Sequence, residues 1–485
     1  MSHVFQIRTC SVLSLLLLVG ALTGCSSGPT VHMQAIDSWK HGAGQTASEQ
    51  IAKALRNSDR DDRSLVELDK AMIDLSNGRV AEAEAAFRRI HPQLEYDRQT
   101  DLTEEIESML TDARAGAWRA NDFERTLLLS NVLLASLLND GFDTFAWSMQ
   151  LEQHLEELHR PIHQTAYETD GEQTDSSLAD DADPESLSGA TDADTNCSSA
   201  AFASYLSGLI QSEHLSRASE SRQAIQQAAA WSTESDDADT PFAPPAGLSC
   251  GPGNGAVHVI VYRDVAPQWQ SVNAEPTRTA LLIADRILSA TNKYSLPPTI
   301  TALEIAEPEE RPFRLDTPCS LQAIVADSSS APLDFHLLAD LYDAAEQAAL
   351  RTRDRQLAEA ICRRVIKKAV IYAAKEMADV EPNSMTELGF DLLGILWEGV
   401  EEADTRAWNS LPGQILTAAT ELAAGEHTIT FTAPDGTAHP YPLTVQSGKN
   451  TVVLVIMPED SIISILCNRS SNLPATAATV RIDSD

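Results

Sequence analysis

The chain has 485 residues, with 71 Asp or Glu against 35 Lys or Arg and a formal net charge of −36. That balance excludes nucleic acid as a partner and opposes broad contact with anionic lipid. The length allows two or three domains, and 43% hydrophobic residues supply enough apolar surface to give each a core.

The sharpest signal stands at the start. Arg8 is basic, Val12–Leu22 is an apolar run, and Leu22-Thr23-Gly24-Cys25 closes it. The run is too short to span a membrane as a helix and suits the core of a secretory signal. Its ending resembles a bacterial lipobox, in which diacylglycerol is joined to the cysteine sulfur and the peptidase cuts just before that cysteine. The resemblance implies loss of residues 1–24, lipidation at Cys25 and a periplasm-facing protein held to the membrane by acyl chains. An ordinary signal peptide with a chance cysteine is the alternative. Ser26 stands where an Asp would resemble an inner-membrane retention signal, so the outer membrane is expected. Leu388–Val400, the next most apolar stretch, is too short to span and is broken by Asp391 and Glu398. Beyond Cys10 and Cys25, the cysteines are Cys197, Cys250, Cys319, Cys362 and Cys467, none in a CxxC spacing. They read as single thiols, not as a disulfide framework or a metal site.

Residues 25–47 read as a tether, and helical patterning begins near Ile51. The stretch 48–163 reads as helical hairpins. In the pair Ser64–Asn77 and Val80–Ile90, Ala71, Gly78, Ala83 and Phe87 fall where a tetratricopeptide (TPR) repeat places a small residue, a turn glycine, a second small residue and a large apolar one. Small residues let two helices approach, the large one fills the groove, and the glycine ends the first helix. Weaker copies follow over Ala117–Leu129, with Asn121-Asp122-Phe123 at a turn, and over Ser130–Leu138 and Thr144–Leu158, joined at Gly141. Residues 196–231 hold another pair, Ala200–Ile210 and Arg217–Ala230, with Gly208 at the small position. A plain helical bundle is the alternative.

Two acidic stretches interrupt this region. Gln164–Thr195 holds ten Asp or Glu and no Lys or Arg, and reads as a disordered linker. Asp192, Asp194 and Asn196 imitate the first ligands of an EF-hand, but Cys197 and Ala203 replace the glycine and the bidentate Glu it needs. Residues 232–254 form a second linker, rich in Pro and acids.

From residue 255 to 460 the patterning predicts an α+β domain, followed by a C-terminal tail over 461–485. Strands are expected at Ala256–Tyr262, Thr299–Ile305, Leu321–Ala326, Glu426–Thr432, Tyr441–Val445 and Thr451–Ile456, with turns at Asp435-Gly436 and Ser447-Gly448-Lys449-Asn450. Helices are expected at Leu333–Leu350, Gln356–Ala378 and Met385–Ala403. Ala256–Tyr262 is expected to pair with the C-terminal strands. The fold class is therefore α+β: TPR-like helical hairpins, then a small antiparallel β domain with a helical insertion.

A set of short motifs keeps a fixed order: the lipobox, the hairpins, Tyr205-Leu206-Ser207-Gly208-Leu209, Gly253-Asn254-Gly255 before a strand, Arg363-Arg364-Val365-Ile366-Lys367-Lys368, Ala403-Asp404-Thr405-Arg406-Ala407-Trp408, Leu411-Pro412 and Ala424-Gly425-Glu426-His427. In this order the chain resembles an uncharacterised family of TPR-like outer-membrane lipoproteins of Gram-negative bacteria. The resemblance implies an architecture and an envelope location, and no activity comes with it. The long acidic insertions and the turn near Gly141 depart from it.

Few residues suggest chemistry. The glycines at 251–255 precede a strand, whereas a phosphate loop must follow a strand and open a helix. His154, His159 and His163 lie near Glu156 and Glu157, but Pro161 disrupts the one i,i+4 pair. No Gly-x-Ser-x-Gly elbow is present. No catalytic residue, cofactor or metal is therefore assigned. Two other features remain. Arg351, Arg353, Arg355, Arg363, Arg364, Lys367, Lys368 and Lys375 crowd one helical region. Arg364, Lys368 and Lys375 could form a face for an acidic partner, or the stripe could neutralise the protein's own acids. Asp404 and Arg406 are expected to pair at a corner, with Trp408 packed where helix meets sheet. Losing Trp408 should then weaken the C-terminal domain and leave the N-terminal helices intact. The reading as a whole is a lipid-anchored, non-enzymatic scaffold that binds an envelope protein or peptide. A cell-wall-active enzyme or a glycan-binding module is the alternative.

Overall fold

The computed structural model describes residues 30–98, 117–158, 198–232, 244–290, 296, 302–315, 318–326, 332–377 and 403–469. The expectations for Cys25, Cys197, His159, His163, Gln164–Thr195 and nearly all of Met385–Ala403 lie outside these residues.

Among the described residues, eight α-helices come first: α1 (Val31–Lys40), α2 (Gly44–Asn57), α3 (Arg63–Ser76), α4 (Val80–Arg98), α5 (Asp122–Asn139), α6 (Thr144–Leu158), α7 (Ser198–Ser212) and α8 (Ala218–Trp231). Each packs on the next, and the chain runs up and down. Ala71, Ala83 and Phe87 are fully buried between α3 and α4. Gly78 has φ +75, and the N–H groups of Gly78 and Arg79 close the end of α3 onto Leu75 O and Asp74 O at 3.0 and 2.9 Å. This is the glycine stop expected there. At Gly208 a Cβ would lie 2.8 Å from Ile225 Cγ1, so the close approach of α7 and α8 requires glycine.

The array has two distinct ends. At one, Asn77 Nδ2 donates to Gly44 O at 3.2 Å, Asn139 Nδ2 donates to Glu84 Oε2 at 2.8 Å, and the rings of Phe145 and His214 stand 4.9 Å apart. These contacts gather the α1–α2, α3–α4, α5–α6 and α7–α8 turns. At the opposite end lie the start of α1, the α2–α3 turn and the start of α5, where Trp118 N donates to Asp61 O at 3.1 Å.

Among the described residues, ten strands and two more α-helices follow: β1 (Asn254–Arg263), β2 (Trp269–Ala274), α9 (Arg278–Ala290), β3 (Leu303–Pro308), β4 (Gln322–Val325), β5 (His336–Asp340), α10 (Leu341–Met377), β6 (Gln414–Ala423), β7 (Gly425–Thr432), β8 (Ala438–Val445), β9 (Asn450–Met457) and β10 (Ser464–Cys467). The largest sheet has the order β10-β9-β1-β6-β5. Its pairs are antiparallel except β1 with β9, which run parallel as Ala256 meets Asn450 and Arg263 meets Met457. β4, β7 and β8 form a second sheet, and β2 with β3 a third.

Alternation along β1 explains the layers. Ile260 and Tyr262 face the helices, together with Val452, Leu454, Ile456 and Ile415. Val257, Val259 and Val261 face the three-stranded sheet, where Ile429, Phe431, Tyr441 and Leu443 meet them. A strand covered on both faces reads as continuously apolar, as Val257–Tyr262 nearly does. A third cluster joins β3 and α9 to α10 through Leu303, Ile305, Ala284, Leu357 and Ile361. The architecture is the expected α+β one, but the helices and the main sheet share one core, so no boundary near residue 254 separates two independent units.

Other expectations are corrected. Most of the tether over 25–47 is folded: α1 starts at Val31 behind a Thr30 cap and buries Ala35, Ile36 and Trp39. Their i, i+1, i+4 spacing makes one apolar face. Ala117–Leu129 and Ser130–Leu138 are not separate pieces, because α5 runs unbroken from Asp122 to Asn139. Leu333–Leu350 is not one helix: His336–Asp340 pairs with β6 as an edge strand before α10 begins. The tail over 461–485 contributes β10, which pairs with β9.

Candidate functional site

The richest polar constellation lies in the seam between the helices and the main sheet. Asp404, Arg406 and Trp408 meet there as the sequence suggested. Arg406 grips Asp404 with Nε at 2.8 Å and Nη2 at 2.7 Å, and reaches Asp62 of the α2–α3 turn with Nη1 at 2.9 Å. Burial works against its charge, but the two acids outweigh that effect and hold its pKa above the ordinary arginine value. Trp408 is buried, its ring 6.1 Å from Phe87 of α4. Its indole N–H donates to Ser410 Oγ at 3.0 Å.

Sequence reasoning missed the carboxylates beneath this corner. Asp69 of α3 is fully buried and accepts from Ser410 N at 2.8 Å, Ser410 Oγ at 2.6 Å and His32 Nε2 at 2.7 Å. Burial opposes a charge on His32, but its hydrogen bond to Asp69 and the charges of Asp69 and Asp62 raise its pKa. Glu124 of α5 accepts from Asn121 N at 2.7 Å and from Trp408 N at 3.2 Å. Burial pushes its pKa up to about 7, against these hydrogen bonds. In a cleft, such a value would suit a general acid. Glu124 is only 1% exposed, however, and both its oxygens are taken by backbone donors, so no substrate oxygen can approach it. The constellation clamps the seam.

A second clamp lies further along it. Thr417 Oγ1 donates to the Tyr205 hydroxyl oxygen at 3.0 Å, and that hydroxyl donates to His258 Nδ1 at 2.7 Å. His258 Nε2 then donates to Asn450 Oδ1 at 3.2 Å. This order of donors fixes a neutral His258. Burial lowers its pKa to about 4, and burial likewise lowers that of His154, whose Nε2 meets Thr126 Oγ1 at 3.0 Å, to about 4. Both folded pKa values lie below the ordinary 6.5, so the neutral rings favour folding fully above pH 6.5, and that contribution is lost as the pH falls through about 4. The stability advantage of wild type over His258→Gln, which cannot be protonated, should therefore shrink on the order of 2–3 kcal/mol from pH 7 to pH 4. Urea titrations across that range check it, and a constant difference would show that His258 does not govern this dependence.

The basic stripe lies on α10. Arg353 pairs with Glu307 at 3.3 Å, Arg355 with Glu359 at 2.9 Å, and Arg363 and Lys367 are buried. Of the three residues read as a partner face, Arg364 donates to Ala302 O at 3.3 Å, and Lys368 is exposed yet engaged. The side chain of Lys375 lies outside the described residues. Two cations of the stripe are thus paired with the protein's own acids. Cys250, Cys319, Cys362 and Cys467 are free thiols. Among the described residues, no three His, Cys, Asp or Glu side chains are arranged to hold a metal ion, and no helix is long and apolar enough to cross a membrane.

One exposed feature is apolar. Phe142 and Leu215 are 86% and 84% exposed on the α5–α6 and α7–α8 turns. Beside them, the Phe145 ring packs at a tilt against His214, and the Arg217 guanidinium lies 6.0 Å from the Phe145 ring. This patch occupies one end of the array, remote from the Asp404–Trp408 corner. No protein-family model, curated protein or solved structure matches the chain.

Proposed function

We propose that the protein is a lipid-anchored, non-enzymatic interaction scaffold of the bacterial envelope, facing the periplasm from the outer membrane. The observation that carries this reading is the pair of solvent-facing side chains, Phe142 and Leu215, on neighbouring turns at one end of the helical array. Large apolar residues grouped on a soluble surface mark a place where another protein is bound. The polar clusters favour the same reading, because their carboxylates are occupied in holding the seam. Cys25 fixes the location through its acyl chains, and the turn-end patch recruits an envelope protein or peptide to that place.

Two measurements test it. Cys25→Ser should leave an unprocessed precursor that takes up no lipid label, and a wild-type mature mass that begins elsewhere without lipid would overturn the anchor. A photocrosslinking amino acid at position 142 or 215 should capture an envelope protein in living cells. The same probe at Glu157, exposed at the opposite end of α6, should not. Equal capture at all three positions would count against a specific patch.

A further inference from the structure

We infer that the end of the array opposite the apolar patch rests on the membrane surface, with the α2–α3 turn against phospholipid phosphates. The inference rests on the proposed lipidation of Cys25. Only residues 26–29 separate that cysteine from Thr30, whose hydroxyl caps α1. Five peptide steps span at most about 18 Å even when fully extended. The start of α1 cannot swing free of the body, because its first turn is tied to α3 by the His32–Asp69 contact at 2.7 Å and its last turn is anchored by buried Trp39. Acyl chains on Cys25 therefore hold this end within about 18 Å of the headgroups, whatever the rest of the chain does.

The charge of this end suits the position. In a chain of net charge −36, lipid phosphates repel most of the surface. Lys53, Arg56 and Arg60 are exposed on or beside the α2–α3 turn, and Arg119 is exposed nearby but engaged. Of the acids close by, Asp62 and Asp404 share Arg406, and Asp59, Asp61 and Asp122 are exposed. At physiological salt a phosphate responds to charges within about 8 Å, so it meets the mixed charges of this end and not the many distant acids. The helices then stand away from the bilayer. Phe142 and Leu215 are carried about 20–25 Å further out, one helix length, and face the periplasm.

Energy transfer in vesicles of phosphatidylethanolamine and phosphatidylglycerol tests this. The full lipidated chain would carry a genetically encoded fluorescent amino acid at position 60 or 215, with an acceptor dye on the headgroups. Transfer from position 60 should exceed that from position 215 by about twofold, given one helix length between them. Lys53→Glu with Arg56→Glu should lower transfer from position 60 while leaving the protein on the vesicles. Equal transfer from both positions, stronger transfer from 215, or no response to charge reversal would overturn the orientation. Intact mass and vesicle flotation separate the two possible failures. An unlipidated protein that does not float removes the anchor and the orientation together, whereas a lipidated, floating protein with the wrong transfer order removes the orientation alone.

Discussion

Trp408→Ala should cost about 3–5 kcal/mol, the range for truncating a large buried aromatic. The ring fills the space beside Phe87, its indole N–H is bonded to Ser410, and its backbone N–H is bonded to Glu124. Phe87 and Glu124 belong to α4 and α5, so the loss is felt on both sides of the seam. The expectation that the N-terminal helices would survive intact is corrected accordingly. Urea unfolding followed by far-ultraviolet circular dichroism and by fluorescence should show one earlier transition in both signals. A variant that melts like wild type but fails to capture a partner would instead make Trp408 part of a binding site.

Asp69→Ala should be as damaging. It strands the Ser410 N–H, the Ser410 hydroxyl and His32 in a buried site, and opening a buried charged cluster from one side costs about 3–5 kcal/mol. Asp69→Asn keeps an acceptor oxygen and the shape, so it should cost clearly less. A series of urea midpoints ordering wild type, Asp69→Asn and Asp69→Ala from most to least stable checks the claim. If both variants unfold with wild type, the seam is held by apolar packing alone.

What the sequence revealed and what it hid follow physical lines. Ala71, Gly78, Ala83 and Phe87 were legible because their roles are set by helix period and a tight turn, both local properties. Strands β1, β7, β8 and β9 were legible from β-branched runs and from the turns between them. β6 was missed because Gln414–Ala423 is rich in Ala, Leu and Thr with no strict alternation, and its pairing with β1 and β5 overrides its local preference. The same override turned His336–Asp340 into a strand. α1 hid behind a polar stretch in which only Ala35, Ile36 and Trp39 carry the apolar face. Asp69 and Glu124 could not be singled out, since a chain with 71 acids offers no local sign of which of them are buried. The Asp404–Arg406–Trp408 corner was legible because its members are neighbours in the chain. Its partners Asp62, Asp69 and Glu124 lie hundreds of residues away.

The parallel pairing of β1 with β9 bears on how the chain comes to fold. About two hundred residues separate the paired strands, and His41 of the α1–α2 turn lies 4.0 Å from Glu459, just past the end of β9. Such distant pairings close large loops before any contact rewards them, which makes assembly slow. The early helices cannot complete their core on their own, because Val452, Leu454 and Ile456 form part of it. Synthesis order thus gives the N-terminal half no head start: it must wait, with apolar surface open, for nearly the whole chain to arrive.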